Sequence, residues 1–372
     1  MASDFKVTPW KVEGRIDYEK FAEQSGIGRI DDALKERIRR YTGKLHFLIE
    51  RNIFYAQREL NWLFDEYDKG NKFYVYTGIA PSSHMTLGHL LPFTLAQWLQ
   101  EKFGCEVYIQ IPDEEKFLTH KELKQEQVHK LAYSAALDIA ALGFDKGKTK
   151  IFLDTEYAGH MYKYAVEVAK HITFSQVKDA FGMTNEANIG WIFYTSMQAV
   201  PAFIKSAQEG HNIPCLIPLA IDQDVHFRIA RDAIAKMGYY KPAIIHSKFL
   251  PALNGEPKMS ASDPINTIYL EDSKEAVEKK VGRALTGQQA TAELQRKYGG
   301  DPEKCMVCQY FKYFFEPDDK RLEEIFERER NGSMLAGEHK KELAAAINAF
   351  IEKHNENKDK IKGSLEDYML RD

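Results

Sequence analysis

Two short segments of this chain combine residue types that can hold and neutralise a phosphate. The first, "PSSHMTLGH" (residues 81–89), follows the apolar run "KFYVYTG" and contains Thr86, Gly88 and His89. A helix that begins near Thr86 would offer unpaired N–H groups and the positive end of its dipole. Gly88 would let a flat base or a ribose approach the backbone, and His89 can donate to a phosphoryl oxygen. Alone the pattern is weak, because a single helical histidine is usually structural.

The second segment, "NGEPKMSASDP" (residues 254–264), is a Gly/Pro/Ser loop with one lysine, Lys258. A surface loop whose Ser260 and Ser262 bond to nearby backbone explains it equally well. In the functional interpretation, Lys258 neutralises phosphate charge in a transition state, and the two serines fix the loop around it.

A third segment, "LAIDQDVHFRIARD", ends an apolar run in Asp222, Gln223 and Asp224 before a helical pattern begins. Polar groups directly after a buried strand lie where the ligands of parallel sheets bind. Either aspartate alone is also explained as a helix cap.

Strand-like and helical patterns alternate between residues 72 and 268. Five short apolar runs predict strands, and they are separated by long helical stretches such as 122–143 and 157–181. The five runs are "KFYVYTG", "CEVYIQIPD", "KTKIFLDTE", "IPCLIPLAID" and "KPAIIHSKFL". This alternation predicts an α/β fold with a parallel sheet covered on both faces. Residues 1–70 are predicted to form an appendage with little strand, because the apolar residues of 30–70 recur at helical spacing. The chain after residue 268 is predicted to be α-helical.

Length and composition indicate a globular protein of more than one domain. The chain has 372 residues, of which 44% are hydrophobic and 28% charged. The net charge of −4 argues against a protein that coats RNA non-specifically, although it permits a local basic surface. No apolar run reaches about 18 residues, and the N-terminus lacks an apolar signal-peptide centre. We therefore expect a cytoplasmic protein without a membrane partner.

The four cysteines do not form a disulfide framework in a chain of this length, which agrees with a reducing compartment. Cys305 and Cys308 form one C-x-x-C, but the sequence around them contains no second pair and no histidine at zinc-ligand spacing. Buried thiols in an apolar helix are the favoured interpretation, and no metal site is predicted.

Taken together, the three segments resemble those of class I aminoacyl-tRNA synthetases, most closely the tryptophanyl-tRNA synthetases of the eukaryotic and archaeal type. "PSSHMTLGH" stands for the His-Ile-Gly-His signature, and "KMSAS" stands for the Lys-Met-Ser-Lys-Ser loop. "LAIDQD" corresponds to the strand-end signature between them. Flanking stretches such as "TPWKVEG", "IQIPDEEKFL" and "SMQAVPAF" match too, so that the resemblance covers nearly the whole chain.

The resemblance implies a Rossmann-like parallel-sheet catalytic domain with an α-helical C-terminal domain. Its expected limits are 71–268, with a dimer-interface insertion at about 155–205. Residues 1–70 would form an N-terminal helical or patch segment, in which Pro9 and Trp10 begin a small element near the ATP site. Residues 269–372 would bind the anticodon, with Lys279, Lys280 and Arg283 suggested by charge alone, and the molecule would be a homodimer.

The implied reaction is activation of L-tryptophan by ATP, accompanied by Mg²⁺, followed by transfer to tRNA(Trp), with no tightly bound cofactor. The catalytic residues would be Thr86, His89, Lys258, Ser260 and Ser262. The ATP-binding residues would be Gly78, Pro81, Ser82, Gly88, His89, Lys116, Asp222, Lys258, Met259 and Ser260. The tryptophan-binding residues would be Tyr76 and Gln110 at the indole N–H, Glu115 and Gln198 at the ammonium and carboxylate ends, and Gln223 beside them.

Three alternatives compete with this interpretation. Tyrosyl-tRNA synthetases resemble one another in an aspartate three residues after the glutamine that corresponds to Gln198, and here that position is Pro201. A small-molecule nucleotidyltransferase leaves the helical C-terminal region unexplained. Thr86, where the signature has histidine, suggests a non-catalytic RNA-binding relative, but the retained His89 and Lys258 argue against it. His84 is a less suitable substitute for that histidine than Thr86, because it lies in the turn before the helix.

Overall fold

The computed structural model describes residues 6–7, 12–14 and 16–372. Its strands are β1 (Lys6–Val7), β2 (Val12–Glu13), β3 (Gly28–Arg29), β4 (Phe54–Arg58), β5 (Tyr74–Gly78), β6 (Val107–Ile111), β7 (Thr149–Leu153), β8 (Cys215–Ala220) and β9 (Ala243–Ser247). Pro9 and Trp10 lie outside the described residues.

Helices connect and cover these strands. Up to the end of the sheet they are α1 (Tyr18–Gln24), α2 (Asp32–Thr42), α3 (Phe47–Glu50), α4 (Leu60–Asp68), α5 (Leu90–Phe103), α6 (Asp113–Thr119), α7 (Gln125–Ala140), α8 (Ala158–Ala169), α9 (Phe174–Phe181), α10 (Ile189–Ala199), α11 (Ile204–Glu209) and α12 (Asp224–Lys236). After the sheet they are α13 (Lys274–Gly282), α14 (Ala292–Tyr298), α15 (Met306–Tyr310), α16 (Asp319–Arg330) and α17 (Ala336–Ile361). Short 3₁₀ turns occupy Leu87–His89, Val200–Ala202, Ile221–Gln223 and Lys362–Tyr368, and a π-helical turn spans Phe311–Phe315.

The seven-stranded sheet has the order β3-β4-β9-β8-β5-β6-β7, and its last five strands are parallel. All five strands predicted from the sequence are confirmed, as is the helical character of the chain after 268. The predicted helical stretch 157–181 is divided into α8 and α9. The order reverses between β5 and β8, where ligands of open α/β sheets bind beyond the carboxyl ends.

The prediction of helix throughout 30–70 is wrong at β4. This strand pairs antiparallel with β9, so the N-terminal region extends the sheet. Its Phe54, Tyr55 and Ala56 are all buried, with no polar side chain between them to show an exposed face. A short continuous apolar run cannot be distinguished from a buried helix by periodicity, and the pairing partner that decides the matter lies almost 190 residues later.

Side chains alternate between two buried layers. Val75 lies in the core shared with the N-terminal and C-terminal helices, whereas Tyr74 and Tyr76 lie in the core formed with α8 and α10–α12. At the β7 edge, the backbone N–H of Leu370 donates to the carbonyl of Ile151 at 2.7 Å. The end of the described chain therefore covers an edge strand that would otherwise present unpaired backbone groups.

A buried ion pair ties β4 to the start of α12. Arg58 donates from Nε to Oδ1 of Asp224 and from Nη2 to Oδ2, each at 2.8 Å, and His246 Nε2 also donates to Oδ1 at 2.8 Å. Burial raises the pKa of Asp224, but Arg58 and His246 outweigh burial and lower it well below its usual range. Arg58 Nη2 donates further to the carbonyl of Ser25, which fixes the end of α1.

We expect Asp224→Asn to lower the free energy of unfolding by about 3–5 kcal/mol, because it leaves Arg58 buried without its countercharge. Urea denaturation followed by circular dichroism measures the change. The matched control is Asp367→Asn, whose partner Lys146 is about half exposed, and this variant should unfold at the wild-type midpoint. Equal midpoints for all three proteins would contradict this structural role for the pair.

Candidate active site

A cavity of about 450 Å³ opens at the carboxyl ends of the parallel strands. Gly78 of β5, Gln110 of β6, Ala220 of β8 and Ser247 of β9 all line it. A Cβ atom at Gly78 would lie 2.5 Å from the backbone oxygen of Gln110, so the close approach of β5 and β6 requires glycine there. The sheet therefore supplies the walls of the cavity from four strand ends.

Most of the site residues predicted from the sequence meet in this cavity. Those that line it are Tyr76, Gly78, Ser82, Gly88, His89, Gln110, Glu115, Lys116, Gln198, Asp222, Gln223, Lys258, Met259, Ser260 and Ser262. Pro81 and Thr86 are buried and lie outside the lining residues. The exposed His84 instead pairs with Glu271 at 2.9 Å.

Thr86 positions His89 through its backbone. Its N–H donates to Nδ1 of His89 at 3.2 Å, so Nδ1 is an acceptor and the proton of the neutral ring resides on Nε2. Burial, together with the positive charges of Lys258 and Lys116, lowers the pKa of His89 to about 4. The imidazole is therefore a neutral hydrogen-bond donor at the cavity wall. Thr86, one of the expected catalytic residues, is itself 1% exposed.

Lys258 forms an ion pair with the strand-end carboxylate of β8. Its Nζ donates to Oδ2 of Asp222 at 2.6 Å and lies 5.0 Å from the centre of the Phe249 ring. The carboxylate is 2% exposed, and within the described part of the chain its second oxygen, Oδ1, has no hydrogen-bond partner. Asp222 and Asp224 both follow β8 but have different partners. Asp222 binds Lys258 at the cavity, and Asp224 binds Arg58.

Backbone pairing joins the segment 81–89 to residues 268–270, which follow the segment 254–264. The N–H of Leu87 donates to the carbonyl of Ile268 at 3.0 Å, and the N–H of Leu270 donates to the carbonyl of Met85 at 2.9 Å. A Cβ at Gly88 would lie 3.5 Å from Cβ of Met259. The two segments, about 170 residues apart in sequence, therefore form one unit beside the cavity.

The loop that carries Lys258 is fixed by short-range bonds. The hydroxyls of Ser260 and Ser262 are 2.8 Å apart. Thr267 Oγ1 donates to the carbonyl of Ser260 at 2.7 Å, and the Tyr269 hydroxyl donates to the carbonyl of Ala261 at 2.9 Å. The serines therefore bond locally, as the surface-loop interpretation expects, while both also line the cavity.

A chain of hydrogen bonds forms the inner end of the cavity. Gln110 Nε2 donates to both oxygens of Asp154, at 3.0 and 2.7 Å, which fixes the amide with Oε1 toward the Tyr76 hydroxyl that donates to it. Gln198 Nε2 donates to the Tyr76 oxygen at 3.1 Å. After these bonds, Gln110 Oε1 retains a lone pair that can accept from a ligand.

A negative charge lies next to this polar chain. Glu115 accepts from Lys116 Nζ at 2.8 Å and from the Tyr194 hydroxyl at 3.1 Å. Burial raises the pKa of Glu115, but the Lys116 ammonium and the hydroxyl outweigh burial and lower it. The ionised carboxylate at the cavity can thus accept from an ammonium group. The hydroxyl of Tyr194 also bonds to Gln198 Oε1, and its single proton serves one of these two acceptors at a time.

Behind Gln110, two acidic side chains share a buried position. Burial and the charge of Asp154 raise the pKa of Glu114 well above its usual range. Burial likewise raises the pKa of Asp154, to about 7. Burial thus favours the neutral forms of these two acids, while both Asp154 oxygens accept from Gln110.

The sequence interpretation did not identify Tyr194 and Asp154. Tyr194 lies in the apolar helix α10, but it precedes Gln198 by four residues and so shares its helix face. Asp154 directly follows β7, where the strand-end rule that found Asp222 also applies. The suggested anticodon residue Lys280 is engaged elsewhere, because its Nζ donates to both carboxylate oxygens of Asp272 at 2.7 Å.

Comparisons with known proteins identify the family of this chain. The family model described as "tRNA synthetases class I (W and Y)" matches residues 68–352. The chain is 46% identical to the tryptophan--tRNA ligase of Sulfolobus acidocaldarius and 44% identical to that of Pyrococcus furiosus. The alignments cover 97% and 99% of this chain and 94% of each relative.

Solved structures of similar proteins have the same fold. The crystal structure of Plasmodium falciparum tryptophanyl-tRNA synthetase superposes with a TM-score of 0.89 at 36% identity, and covers 95% of this chain and 97% of that one. The tryptophanyl-tRNA synthetase of Aeropyrum pernix superposes with a TM-score of 0.87 at 27% identity, and covers 96% of this chain and 97% of that one.

We expect the imidazole of His89 to titrate at about pH 4, because burial and two lysines oppose its protonation. Proton–carbon NMR of the histidine-labelled protein measures this value, and His89→Gln identifies the signal. The unfolded state binds this proton more tightly. The free energy of unfolding should therefore decrease as the pH falls from about 6.5 to about 4, and decrease less in His89→Gln. Titration of His89 near its ordinary pKa would contradict the neutral-donor assignment.

Proposed function

This chain belongs to the class I tRNA synthetases for tryptophan and tyrosine, and from that premise we propose that it is a tryptophan--tRNA ligase. It activates L-tryptophan with ATP to the aminoacyl adenylate, with release of pyrophosphate, and then transfers the aminoacyl group to the 3′ end of tRNA(Trp). The observation that carries the proposal is one cavity that has His89 and Lys258 on one side and a polar inner end beside Glu115 on the other.

The inner end of the cavity suits an indole ring. Indole has one N–H donor and a large apolar face, so its pocket needs an acceptor and apolar walls. Gln110 Oε1 supplies the acceptor, and Phe227, whose ring is 5.8 Å from that of Tyr76, supplies an aromatic wall. The ionised Glu115 suits the ammonium of the amino acid.

Position 201 favours tryptophan over tyrosine. The side chain of Pro201 offers neither a donor nor an acceptor, and its backbone oxygen already accepts from the Tyr74 hydroxyl at 2.9 Å. A site that selects tyrosine by a buried hydroxyl contact would need a polar partner there.

Catalysis by this site is largely electrostatic. In the first step a carboxylate oxygen of tryptophan attacks the α-phosphorus while the bond to pyrophosphate breaks, so negative charge builds on the phosphoryl oxygens. The neutral His89 donates from Nε2, and Lys258 and Lys116 contribute positive charge. Donors that meet charge only as it develops stabilise the transition state more than the ground state. Lys258 would exchange Asp222 for a phosphate, and Thr86 is a positioning residue that holds His89.

Mg²⁺ would accompany the phosphates of ATP. The cavity carboxylates Asp222 and Glu115 are each paired with a lysine. Within the described part of the chain, the one cluster of potential metal ligands lies in the C-terminal helices. No residue of the cavity is therefore assigned to magnesium.

None of the described helices is long and apolar enough to span a membrane. The proposed location is the cytoplasm.

A homodimer is part of the proposal. Exposed apolar side chains occur on α8 and α10, among them Tyr162 at 60% and Ile189 at 84% exposure. A surface groove of about 650 Å³ between α9 and α12 is lined in part by Ile172, Ala180 and Ile229. These features lie in or beside the segment 155–205 that is expected to form the contact.

The helical region from 269 onward remains the proposed anticodon-binding region. Lys279 is exposed on α13, and Arg283 is exposed just after it.

We expect labelled pyrophosphate to exchange into ATP in the presence of tryptophan, and far more slowly with tyrosine. Exchange reports adenylate formation without tRNA, so it tests the cavity separately from the C-terminal helices. Exchange with tyrosine alone would establish the tyrosine alternative, and absence of exchange with every amino acid would establish a non-catalytic relative.

We expect Lys258→Ala to lower kcat for exchange by roughly 10²–10³-fold, because it removes a charge that acts on the transition state. KM for tryptophan should change little, since Lys258 lies on the phosphate side. Lys241→Ala, which removes an exposed lysine paired with Asp232, and His84→Ala should retain wild-type kcat. Thermal unfolding shows whether Lys258→Ala is folded, and an unchanged kcat in the folded variant would refute the assignment.

A further inference from the structure

Four side chains with metal-ligating atoms meet in the C-terminal helices. None of the four lines the cavity at the strand ends. Cys305 precedes α15, Cys308 lies within it, Glu329 lies in the last turn of α16, and His339 lies in the first turn of α17. Each of the four is 0% exposed. One potential ligand atom from each residue lies within 4.8 Å of all the others.

The cluster contains buried polar atoms that the protein leaves unsatisfied. Glu329 Oε1 and His339 Nε2 have no hydrogen-bond partner among the described residues. The other carboxylate oxygen, Oε2, accepts from Gln288 Nε2 at 2.7 Å and lies 3.2 Å from His339 Nδ1. Burying polar groups without partners costs free energy, and a ligand shared by all four side chains would satisfy these atoms.

We propose that Cys305, Cys308, Glu329 and His339 form a structural zinc site. Cysteine, histidine and glutamate are all established zinc ligands, and two thiolates disfavour Ca²⁺ and Mg²⁺. With metal–ligand bonds of about 2.0–2.3 Å, the edges of a tetrahedral site are roughly 3.3–3.8 Å. The side chains therefore need only a small contraction to bind zinc.

Other occupants explain the cluster less well. A disulfide between Cys305 and Cys308 would leave the free atoms of Glu329 and His339 unsatisfied. Iron–sulfur clusters are usually held by four cysteines, and this group has two. Four protein ligands also leave no open coordination position, which is typical of structural rather than catalytic zinc.

The proposed site would fasten one end of the 26-residue helix α17. At the other end of this helix, His354 Nε2 and Lys358 Nζ contact Oδ1 of Asp138 in α7, at 3.0 and 2.6 Å. Zinc would hold the first turn of α17 to α15 and α16. Because structural metal sites contribute their binding energy to folding, this helical region would be more stable with zinc than without it.

Elemental analysis of the full-length protein, purified without metal-affinity resin, tests the site. We expect about one zinc per chain from the single ligand set. Cys305→Ala and Cys308→Ala should lose it. The matched controls Cys105→Ala and Cys215→Ala, which change the two other buried cysteines, should retain it. Zinc that is retained in the first pair and lost in the second would overturn the proposal.

Cobalt substitution provides a test that does not depend on variants that fold. Wild-type protein loaded with Co²⁺ should show a thiolate-to-cobalt charge-transfer band and the strong visible absorption of a tetrahedral site. A chelator that removes the metal should lower the Tm of the wild-type protein. Binding of neither zinc nor cobalt by protein with free thiols would overturn the proposal, as would a Cys305–Cys308 disulfide in protein isolated anaerobically.

Discussion

The carboxyl ends of parallel strands all lie along the same end of the sheet, and the positions of the other elements depend on this constraint. Each connection between neighbouring parallel strands crosses back through at least one helix, and these helices bury both faces of the sheet. The ends of the strands therefore remain available to bind ligands. In this chain the order reverses between β5 and β8, and the cavity opens at the carboxyl ends of those strands. The cavity lining consequently combines strand ends such as Gly78 and Gln110 with residues of the loops that follow, whereas the remaining side chains of the strands form the core.

The phosphate side of the site is built from loops, but these loops are not independent. Antiparallel backbone bonds between Met85–Leu87 and Ile268–Leu270 join them, and Gly88 allows Met259 to pack beside the first segment. In the proposed reaction Lys258 would have to exchange Asp222 for a phosphate, but His89 is already oriented by the Thr86 N–H. Such preorganisation matters because donors that are already oriented need little rearrangement when charge develops on the phosphate.

The amino-acid side depends on a buried polar chain from Glu114 through Asp154, Gln110 and Tyr76 to Gln198. Buried polar groups are costly unless each one is satisfied. Here Asp154 accepts from the amide nitrogen of Gln110 and the Tyr76 hydroxyl donates to its amide oxygen, so these two partners fix the orientation of the Gln110 amide. The proposed selectivity for one N–H donor rests on the acceptor that remains.

The remaining expected site residues came from the family resemblance, but local sequence patterns predict the five parallel strands, the helical C-terminal region and the polar residues Asp222, Gln223 and Asp224 at a strand end. Those features are local: alternating strand and helix periods and polar residues after apolar runs identify them without knowledge of contacts. The roles of individual side chains were decided only by the tertiary structure. Asp222 and Asp224 are two residues apart, yet one binds Lys258 and the other Arg58. Likewise, Cys305 and Cys308 have no suitable histidine nearby in sequence, and helix packing brings in His339 and Glu329. Such partners lie tens to hundreds of residues apart, and local sequence patterns contain no information about which distant residues will meet.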